Sequence, residues 1–350
     1  MKAALFYGGP DIRVETAPDP VPGPGEVLVR VRAAGVCGSD LHRYRRKDDH
    51  QTEPSMTGHE LAGDIAAVGP GVMGLAVGQR VGVEPRHLVS CGHCRWCLRG
   101  DTELCPEVGM EDGRHVQSTG FAEYSLEPAE NCYPLPDMLP YDTAAILDVY
   151  AVAVHALHRV PVGPMDTVVV FGAGAVGLAV VQVARTLGAG RVIAVDTWDA
   201  PLAAARQLGC DAVINSTEAD VVAAVRDLTG GQGADVVFEA VGGRAPTFAA
   251  ALDVVARGGR VGVIGMFSDV QTLDPRPLMR KELNLHWIWS YGLWCGVPEF
   301  QIALDMLVSG KIDTAPLITH RFPLDRIADA FAAADDKRAS GAIKVLIQDA

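Results

Sequence analysis

Residues 166–177 read Asp-Thr-Val-Val-Val-Phe-Gly-Ala-Gly-Ala-Val-Gly, and a helix-like stretch continues from there to Leu187. The unbroken apolar run is typical of a buried parallel strand, and Gly-x-Gly-x-x-Gly follows it where a helix begins. Such glycines let the backbone approach a pyrophosphate, while the helix start offers free N–H groups. The stretch predicts a dinucleotide-binding βαβ unit, with a purely structural βαβ unit as the alternative. The predicted cofactor-binding residues of the turn are Gly172, Gly174, Ala175, Val176 and Gly177.

A second strand over 191–195 ends in Asp196. An acid at this position can accept hydrogen bonds from the adenosine ribose hydroxyls and repels a 2′-phosphate. Thr197, Trp198 and Asp199 follow, so this segment has no arginine to hold such a phosphate. We therefore expect Asp196 to bind the cofactor, and NAD to be preferred over NADP.

Further strand-like segments continue this pattern toward residue 289. They lie at 212–214, 235–239, 260–265 and 283–289, and helical stretches at 199–209, 217–229 and 244–257 separate them. Six strands in two βαβαβ halves predict a doubly wound parallel sheet with the order 3-2-1-4-5-6 and an α/β fold. The first half of the chain instead has short alternating segments at 2–7, 26–33, 63–68 and 80–83, which indicate a β-rich domain.

Two short stretches of the β-rich half carry candidate metal ligands. Residues 35–42 read Gly-Val-Cys-Gly-Ser-Asp-Leu-His, and residues 58–60 read Gly-His-Glu. Cys37, His59 and Glu60 offer one thiolate, one imidazole and one carboxylate. This mixture suits a catalytic zinc ion that keeps one position open for water or substrate. A buried structural thiol is the alternative for Cys37.

A cysteine cluster follows at residues 91–105. Its spacing is Cys-x2-Cys-x2-Cys-x7-Cys, and four thiolates at such intervals can close a tetrahedron around a structural zinc ion. Four unconnected free cysteines and an iron–sulfur cluster are the alternatives. The predicted ligands are Cys91, Cys94, Cys97 and Cys105.

Length and charge exclude several classes of protein. The 350 residues favour two domains, and the ordinary composition, 49% hydrophobic and 21% charged, argues against long disorder. The net charge of -13 disfavours a nucleic-acid or anionic-membrane partner. The first nine residues do not resemble a signal peptide, and we expect a cytoplasmic protein.

Together these features resemble the zinc-dependent medium-chain alcohol dehydrogenases, most closely the polyol (sorbitol-type) and threonine dehydrogenase branch. The resemblance rests on the motifs above and on the segment Ala-Pro-Leu-Ile-Thr-His at 315–320. It implies a Rossmann dinucleotide-binding domain at 153–292. It also implies a GroES-like catalytic domain formed by 1–152 and 293–350. Family members are commonly dimers or tetramers, so a homo-oligomer is expected, joined through the edge of the cofactor domain.

The resemblance also implies roles for single residues. Cys37 and His59 match zinc ligands, and Glu60 and Asp148 match the carboxylates that complete the catalytic site. Which of the two carboxylates touches zinc stays open, because Val149 replaces the proline that usually follows Asp148 in this branch. The cysteine cluster matches a structural zinc site, which makes two zinc ions per chain. Asp40 matches the acid that orients His59. Ser39 and His42 match a proton relay, and Phe121 matches a position near the substrate pocket.

The expected reaction is hydride transfer from a secondary alcohol to NAD, with zinc lowering the pKa of the substrate hydroxyl. Ser39 would pass the proton through the nicotinamide ribose hydroxyl to His42. The expected substrate is a small-molecule polyol, sugar or cyclitol, aminocyclitols included. The alternative is L-threonine 3-dehydrogenase, in which Arg43, Arg45 or Arg86 would bind the substrate carboxylate. A non-catalytic protein that binds zinc and a dinucleotide is the remote alternative.

Overall fold

The computed structural model describes residues 1–46, 54–111 and 114–348. The contacts within the chain divide it into two units, Met1–Asp148 with Ile318–Ala350, and Val149–Leu317. Residues 293–317, which the sequence assigned to the catalytic domain, therefore pack in the second unit. There Glu299 accepts a hydrogen bond from His155 at 2.7 Å, and the Asp313 carbonyl accepts one from Tyr150 at 3.0 Å. The catalytic and cofactor-binding roles of the two regions stay predictions.

The described residues form strands and helices in both units. The strands are β1 (Lys2–Gly8), β2 (Asp11–Thr16), β3 (Glu26–Gly35), β4 (Glu60–Val68), β5 (Arg80–Val83), β6 (Met110–Glu111), β7 (Arg114–His115), β8 (Tyr124–Pro128), β9 (Cys132–Pro134), β10 (Thr167–Phe171), β11 (Arg191–Asp196), β12 (Ala212–Asn215), β13 (Ala234–Glu239), β14 (Val255–Val263), β15 (Asn284–Trp287), β16 (Leu293–Trp294), β17 (Val297–Pro298), β18 (Ile318–Phe322) and β19 (Lys344–Ile347). The helices are α1 (Gly38–Tyr44), α2 (Tyr141–Ala145), α3 (Leu147–Arg159), α4 (Ala175–Thr186), α5 (Asp199–Gln207), α6 (Val221–Leu228), α7 (Thr247–Val254), α8 (Pro275–Lys281), α9 (Glu299–Val308), α10 (Ile327–Asp335) and α11 (Lys337–Ser340). None of the helices in this described part of the chain is both long enough and apolar enough to cross a membrane.

The second unit contains a six-stranded parallel sheet in the order β12-β11-β10-β13-β14-β15. This is the predicted order 3-2-1-4-5-6, so the doubly wound fold is confirmed. Strand β10 lies in the middle, where Val169 pairs with Ile193 on one side and with Val237 on the other. The strand reads as an apolar run because residues 168–170 are fully buried.

The first unit is built on a seven-stranded sheet. Its strands follow the order β18-β19-β3-β4-β5-β9, and β8 also pairs with β3. The C-terminal strand β19 lies antiparallel to β3, with Leu346 opposite Gly35 and Ile347 opposite Ala34. The end of the chain therefore belongs to the sheet of the first unit, and this pairing places Lys344 beside the end of β3.

The core of the first unit packs around Phe331 on helix α10. Its ring meets those of Phe6, Tyr44 and Phe121 at centroid distances of 5.2, 5.4 and 5.6 Å. Helix α1 is anchored to this core because it carries Tyr44 and the buried Leu41. Phe121 is only 1% exposed and forms part of this core, and the expectation that it lies near a substrate pocket stays a prediction.

Candidate metal and cofactor sites

The candidate catalytic zinc ligands meet at one end of the first unit's sheet. Gly35, the last residue of β3, pairs with Glu60, the first residue of β4. Cys37 follows β3 and lies directly before helix α1, whereas His59 directly precedes β4. The ligand atoms of Cys37, His59 and Glu60 all lie within 4.8 Å of one another. The structure therefore brings together the three residues that the sequence singled out.

Glu60 is fully buried, and its surroundings are unusual for a carboxylate. Among the residues that the structure describes, its Oε1 has no hydrogen-bond partner. The ammonium group of Lys344 contacts Oε2 as an ion pair and donates to the Val36 carbonyl at 3.0 Å. The chain has no side chain at Gly35, where a Cβ atom would lie 2.0 Å from the same oxygen. Glu60 is thus held close to the candidate ligands with lone pairs to spare.

The electrostatics of the cluster favour a bound cation. Burial alone would lower the pKa of His59, but Cys37, Asp40 and Asp148 raise it well above its usual value. Burial likewise opposes a charged Lys344, yet Glu60 and Cys37 raise its pKa. Both basic groups are therefore held in their charged forms by a surplus of acidic groups.

Asp40 lies beside the candidate ligands, and its expected role of orienting His59 stays a prediction. Its carboxylate is buried and accepts the backbone N–H of Cys37 at 2.9 Å. Burial raises the pKa of Asp40, while His59 acts in the opposite direction. Asp148 is also buried, in the first turn of α3, and it acts on His59 electrostatically. The donor set of a thiolate, an imidazole and up to two carboxylates fits zinc.

The predicted relay residues both lie on helix α1. Ser39 occupies the first turn and is exposed, and His42 follows three residues later, which places both on one face of the helix. The pKa of His42 is lowered by partial burial and then by Arg45 and Arg46. His42 is therefore a neutral imidazole near pH 7 and can accept a proton, but its relay function stays a prediction.

The four clustered cysteines converge in the loop that follows β5. Their sulfur atoms lie within 4.8 Å of one another, with Cys97 Sγ at 3.5 Å from Cys94 Sγ and 3.9 Å from Cys91 Sγ. Four sulfurs bound tetrahedrally at the usual Zn–S distance would lie about 3.8 Å apart. The backbone N–H groups of Cys91 and Glu107 both point at Cys105 Sγ, each at 3.4 Å. The cluster fits a closed, structural zinc site.

A third group of candidate ligands does not fit a metal. Glu299, which is fully buried, accepts hydrogen bonds from Nδ1 of His155 and Nδ1 of His158, each at 2.7 Å. Two ligand atoms on one tetrahedral zinc ion would lie about 3.3 Å apart. Glu299 also accepts the N–H of Gly292 at 2.7 Å. These contacts form a hydrogen-bonded clasp between α3 and the start of α9.

The glycine turn of the second unit lies between β10 and α4, and two of its glycines are required by close backbone approaches. Gly172 adopts a φ of 91°. A Cβ atom on Gly177 would lie 1.7 Å from the carbonyl oxygen of Gly172. Among the described residues, and apart from its chain neighbours, no atom lies within 4 Å of a Cβ built on Gly174, so the backbone is open there. Helix α4 starts at Ala175, and its first N–H groups face the turn.

Asp196 lies where the sequence predicted, at the end of β11. Its carboxylate accepts backbone N–H groups from Ala173 and Thr197, both at 2.7 Å, and from Trp198 at 3.1 Å. Oδ1 also accepts the Thr197 hydroxyl at 3.4 Å, whereas the Ala173 N–H is the one donor to Oδ2 among the described residues. Because each carboxylate oxygen offers about two acceptor positions, roughly one remains on Oδ2 for a ribose hydroxyl. Asp196 therefore both shapes the turn and can contact the cofactor.

Family models match both units. The alcohol dehydrogenase GroES-like domain matches residues 23–137, and the zinc-binding dehydrogenase domain matches residues 175–309. Sorbitol dehydrogenase of Bacillus subtilis (strain 168) is 35% identical over 334 residues, which cover 94% of this chain and 92% of that protein. The chain belongs to the zinc-dependent medium-chain alcohol dehydrogenases, in the polyol and threonine dehydrogenase branch.

Two further proteins are similar to this dehydrogenase over nearly its whole length. L-threonine 3-dehydrogenase of Pyrococcus horikoshii is 35% identical over 339 residues, covering 95% of this chain and 93% of that protein. The crystal structure of an alcohol dehydrogenase from Escherichia coli CFT073, complexed with NADH, has a TM-score of 0.87 and 28% identity. That likeness covers 100% of this chain and 99% of the other.

The sequence analysis missed two residues beside the candidate metal cluster, which consists of Cys37, His59 and Glu60. Lys344 was readable as a charge within the apolar strand β19, and a buried charge needs a partner. His87 gave no signal, because a lone histidine in a loop is common. Its ring meets that of His59 edge-on at 5.3 Å, and burial, followed by His59, lowers its pKa to about 3.

Proposed function

We propose that this dehydrogenase oxidises a secondary alcohol of a polyol, sugar or cyclitol, aminocyclitols included, and transfers the hydride to NAD. The convergence of Cys37, His59 and Glu60 carries the proposal. A donor set that mixes sulfur, nitrogen and oxygen is typical of a catalytic zinc site rather than of a structural one.

The chain would bind two zinc ions, each with its own residues. Cys37 and His59 would hold the catalytic ion, with Glu60 or Asp148 as the third protein ligand. A zinc ion bound there supplies Lewis acidity, which makes a substrate hydroxyl easier to deprotonate. The structural ion would be held by Cys91, Cys94, Cys97 and Cys105.

The protein's own groups would handle the proton and the cofactor. Ser39 would accept the proton of the substrate hydroxyl, and the neutral His42 would take it onward to solvent. Asp40 keeps the N-terminus of α1 in place through its bond to Cys37. Gly172, Gly174, Ala175, Val176 and Gly177 would hold the pyrophosphate of NAD, and Asp196 would accept a ribose hydroxyl and repel the 2′-phosphate of NADP.

L-threonine is the second candidate substrate, because a relative of this chain is an L-threonine 3-dehydrogenase. Its carboxylate would need a cation, yet the three proposed arginines are engaged within their own unit. Arg45 pairs with Asp335 at 2.5 Å, and Arg86 pairs with Glu26 at 2.8 Å. Arg43 donates to Ser55 at 2.5 Å and lies over the ring of Phe6. These contacts favour a substrate without a carboxylate, such as a polyol or cyclitol.

A substrate panel tests the proposal. Zinc-loaded protein is mixed with NAD or NADP and with sorbitol, xylitol, inositols, aminocyclitols or threonine, and NADH or NADPH formation is followed by absorbance. We expect turnover of a polyol or cyclitol with NAD, and at least tenfold lower kcat/KM with NADP. Cys37→Ala should abolish turnover while NADH still binds. Full activity of zinc-free Cys37→Ala protein would refute the zinc mechanism, whereas NADH binding without any turnover would favour the non-catalytic alternative.

We also propose a cytoplasmic homo-oligomer, a dimer or tetramer, joined through the edge of the cofactor-binding sheet. Strand β15 is one of the two edge strands of this sheet, and Trp287 at its end and Trp289 just beyond it are 61% and 54% exposed. Large exposed aromatic side chains at a strand edge favour pairing with another chain. Light scattering of the purified protein measures the number of subunits.

A further inference from the structure

Glu239 is a buried carboxylate that the proposed chemistry does not use. It is the last residue of β13 and is fully buried. Its Oε1 accepts three hydrogen bonds, from the N–H groups of Val241 and Gly242 at 3.0 Å each and from the Thr247 hydroxyl at 2.7 Å. Within the described residues, its Oε2 has no hydrogen-bond partner. Burying a carboxylate with one oxygen unpartnered is costly, so the arrangement calls for an explanation beyond packing.

The hydrogen bonds of Glu239 join the segments that follow β13 and β14. Its main-chain carbonyl accepts the N–H groups of Ile264 and Gly265, at 2.8 and 3.0 Å. Next to it, the N–H of Gly243 donates to Met266 at 2.7 Å. A Cβ on Gly265 would lie 2.3 Å from Glu239 Oε2. The carboxylate is thus wedged between two loops and sets their spacing.

The segment held by Glu239 also reaches the glycine turn. The N–H of Ala240 donates to the Phe171 carbonyl at 2.9 Å. Val241 lies so close to Gly172 that its Cγ2 would be 2.7 Å from a Cβ there. Strands β10 and β13 are neighbours at the point where the strand order reverses. Dinucleotides bind at this switch point in doubly wound sheets, outside the carboxyl ends of the strands.

We propose that Glu239 is a positioning residue for the nicotinamide half of the cofactor, an inference that rests on the proposed dinucleotide binding. Each βαβαβ half of such a sheet binds one mononucleotide. Asp196 ends a strand of the first half, which would take the adenosine part. Glu239 ends the first strand of the second half, so the loops that it holds border the other nucleotide.

The test separates the two halves of the cofactor. NADH and ADP-ribose are titrated against wild-type protein and Glu239→Gln by isothermal calorimetry. Glutamine has the same size, but it lacks the charge and replaces one carboxylate oxygen with a donor. We expect the Kd for NADH to rise at least tenfold, while the Kd for ADP-ribose, which lacks the nicotinamide, changes less than twofold. Equal losses for both ligands, or no loss for NADH, would overturn the proposal.

A matched control lies at the other end of the same strand. Asp235 accepts the N–H of Thr167 at 2.8 Å, next to the amino end of β13, so Asp235→Asn should leave both Kd values unchanged. If Glu239→Gln does not fold, Thr247→Val removes a single donor to the same oxygen. Thr247→Val should raise the Kd for NADH about threefold and leave the Kd for ADP-ribose unchanged. Equal changes in the two Kd values would reject the proposal. Wild-type protein that binds neither ligand would instead refute the proposed dinucleotide binding itself.

Discussion

The Lys344→Met substitution tests how the metal cluster is held together. The lysine side chain is 3% exposed, and its ammonium contacts the fully buried carboxylate of Glu60. Methionine matches the length and apolar stem of lysine but lacks the charge. We expect the variant to be strongly destabilised in the absence of zinc, because the carboxylate is left buried without its cation.

The size of the loss follows from the burial of both partners. Removing one member of a buried ion pair costs about 3–5 kcal/mol. The unit that contains the pair has about 180 residues. For a domain of that size, each kcal/mol lowers Tm by about 2–4 °C, so the expected drop is about 6–20 °C.

The assay is thermal unfolding in the presence of a chelator, followed by circular dichroism, for a double-mutant cycle. Its members are the wild type, Lys344→Met, Glu60→Gln and the double variant. The double variant should lose less stability than the sum of the losses in the two single variants. The reason is that it leaves neither a buried carboxylate nor a buried ammonium without its partner. Adding zinc should recover part of the loss in Lys344→Met if Glu60 is a metal ligand, and little of it if Asp148 takes that role.

A Lys344→Met variant that unfolds within about 2 °C of the wild type would refute this reasoning, since that shift corresponds to less than about 1 kcal/mol. Additive losses in the cycle would refute it as well. They would show that Lys344 stabilises the fold only through its bond to the Val36 carbonyl.

Two further predictions concern the cysteine loop and His87. Cys94→Ser should reduce bound zinc from two ions to one per chain by metal analysis, with unchanged NADH affinity; retention of both ions would contradict the structural site. The pKa of His87 is lowered to about 3, so below pH 6.5 the unfolded state binds a proton that the folded state does not. Stability of the zinc-free protein should therefore fall as the pH drops below 6.5, with a slope through this group that approaches about 1.4 kcal/mol per pH unit. His87→Phe should flatten that part of the urea-unfolding profile, and superimposable profiles would show that the histidine titrates normally.

The cofactor-binding fold was predictable because its signals are local. Strand β10 is buried on both faces, so it appears in the sequence as an unbroken apolar run that ends at the glycine turn. The helices and strands that follow alternate clearly, and the strand order was correct. Residues 293–317 were placed in the other domain, since the contacts that hold them, such as those of Glu299 and Asp313, join distant parts of the chain.

The metal cluster was only partly predictable. Cys37, His59 and Glu60 lie in short motifs whose residue types suggested their chemistry, and Asp40 is on the same helix as Ser39 and His42, the proposed relay residues. Lys344 is 284 positions beyond its partner Glu60, and only the pairing of β19 with β3 brings the two together. No sequence pattern specifies which residue is the partner, although a lysine inside an apolar strand indicates that it has an acidic partner.

Gly35 and the ion pair of Glu60 with Lys344 differ in what they imply about function. Gly35 is required sterically, because a Cβ there would lie 2.0 Å from Glu60, and it would be retained in a protein that had lost its chemistry. The ion pair of Glu60 and Lys344 is not explained by a steric requirement of this kind. Buried ion pairs often contribute less stability than apolar residues of the same volume. A chain that needed only the fold could have apolar residues in place of both Glu60 and Lys344. Nor would it need a carboxylate with an unpartnered oxygen beside Cys37 and His59. Their presence together is therefore the stronger argument for a working metal site.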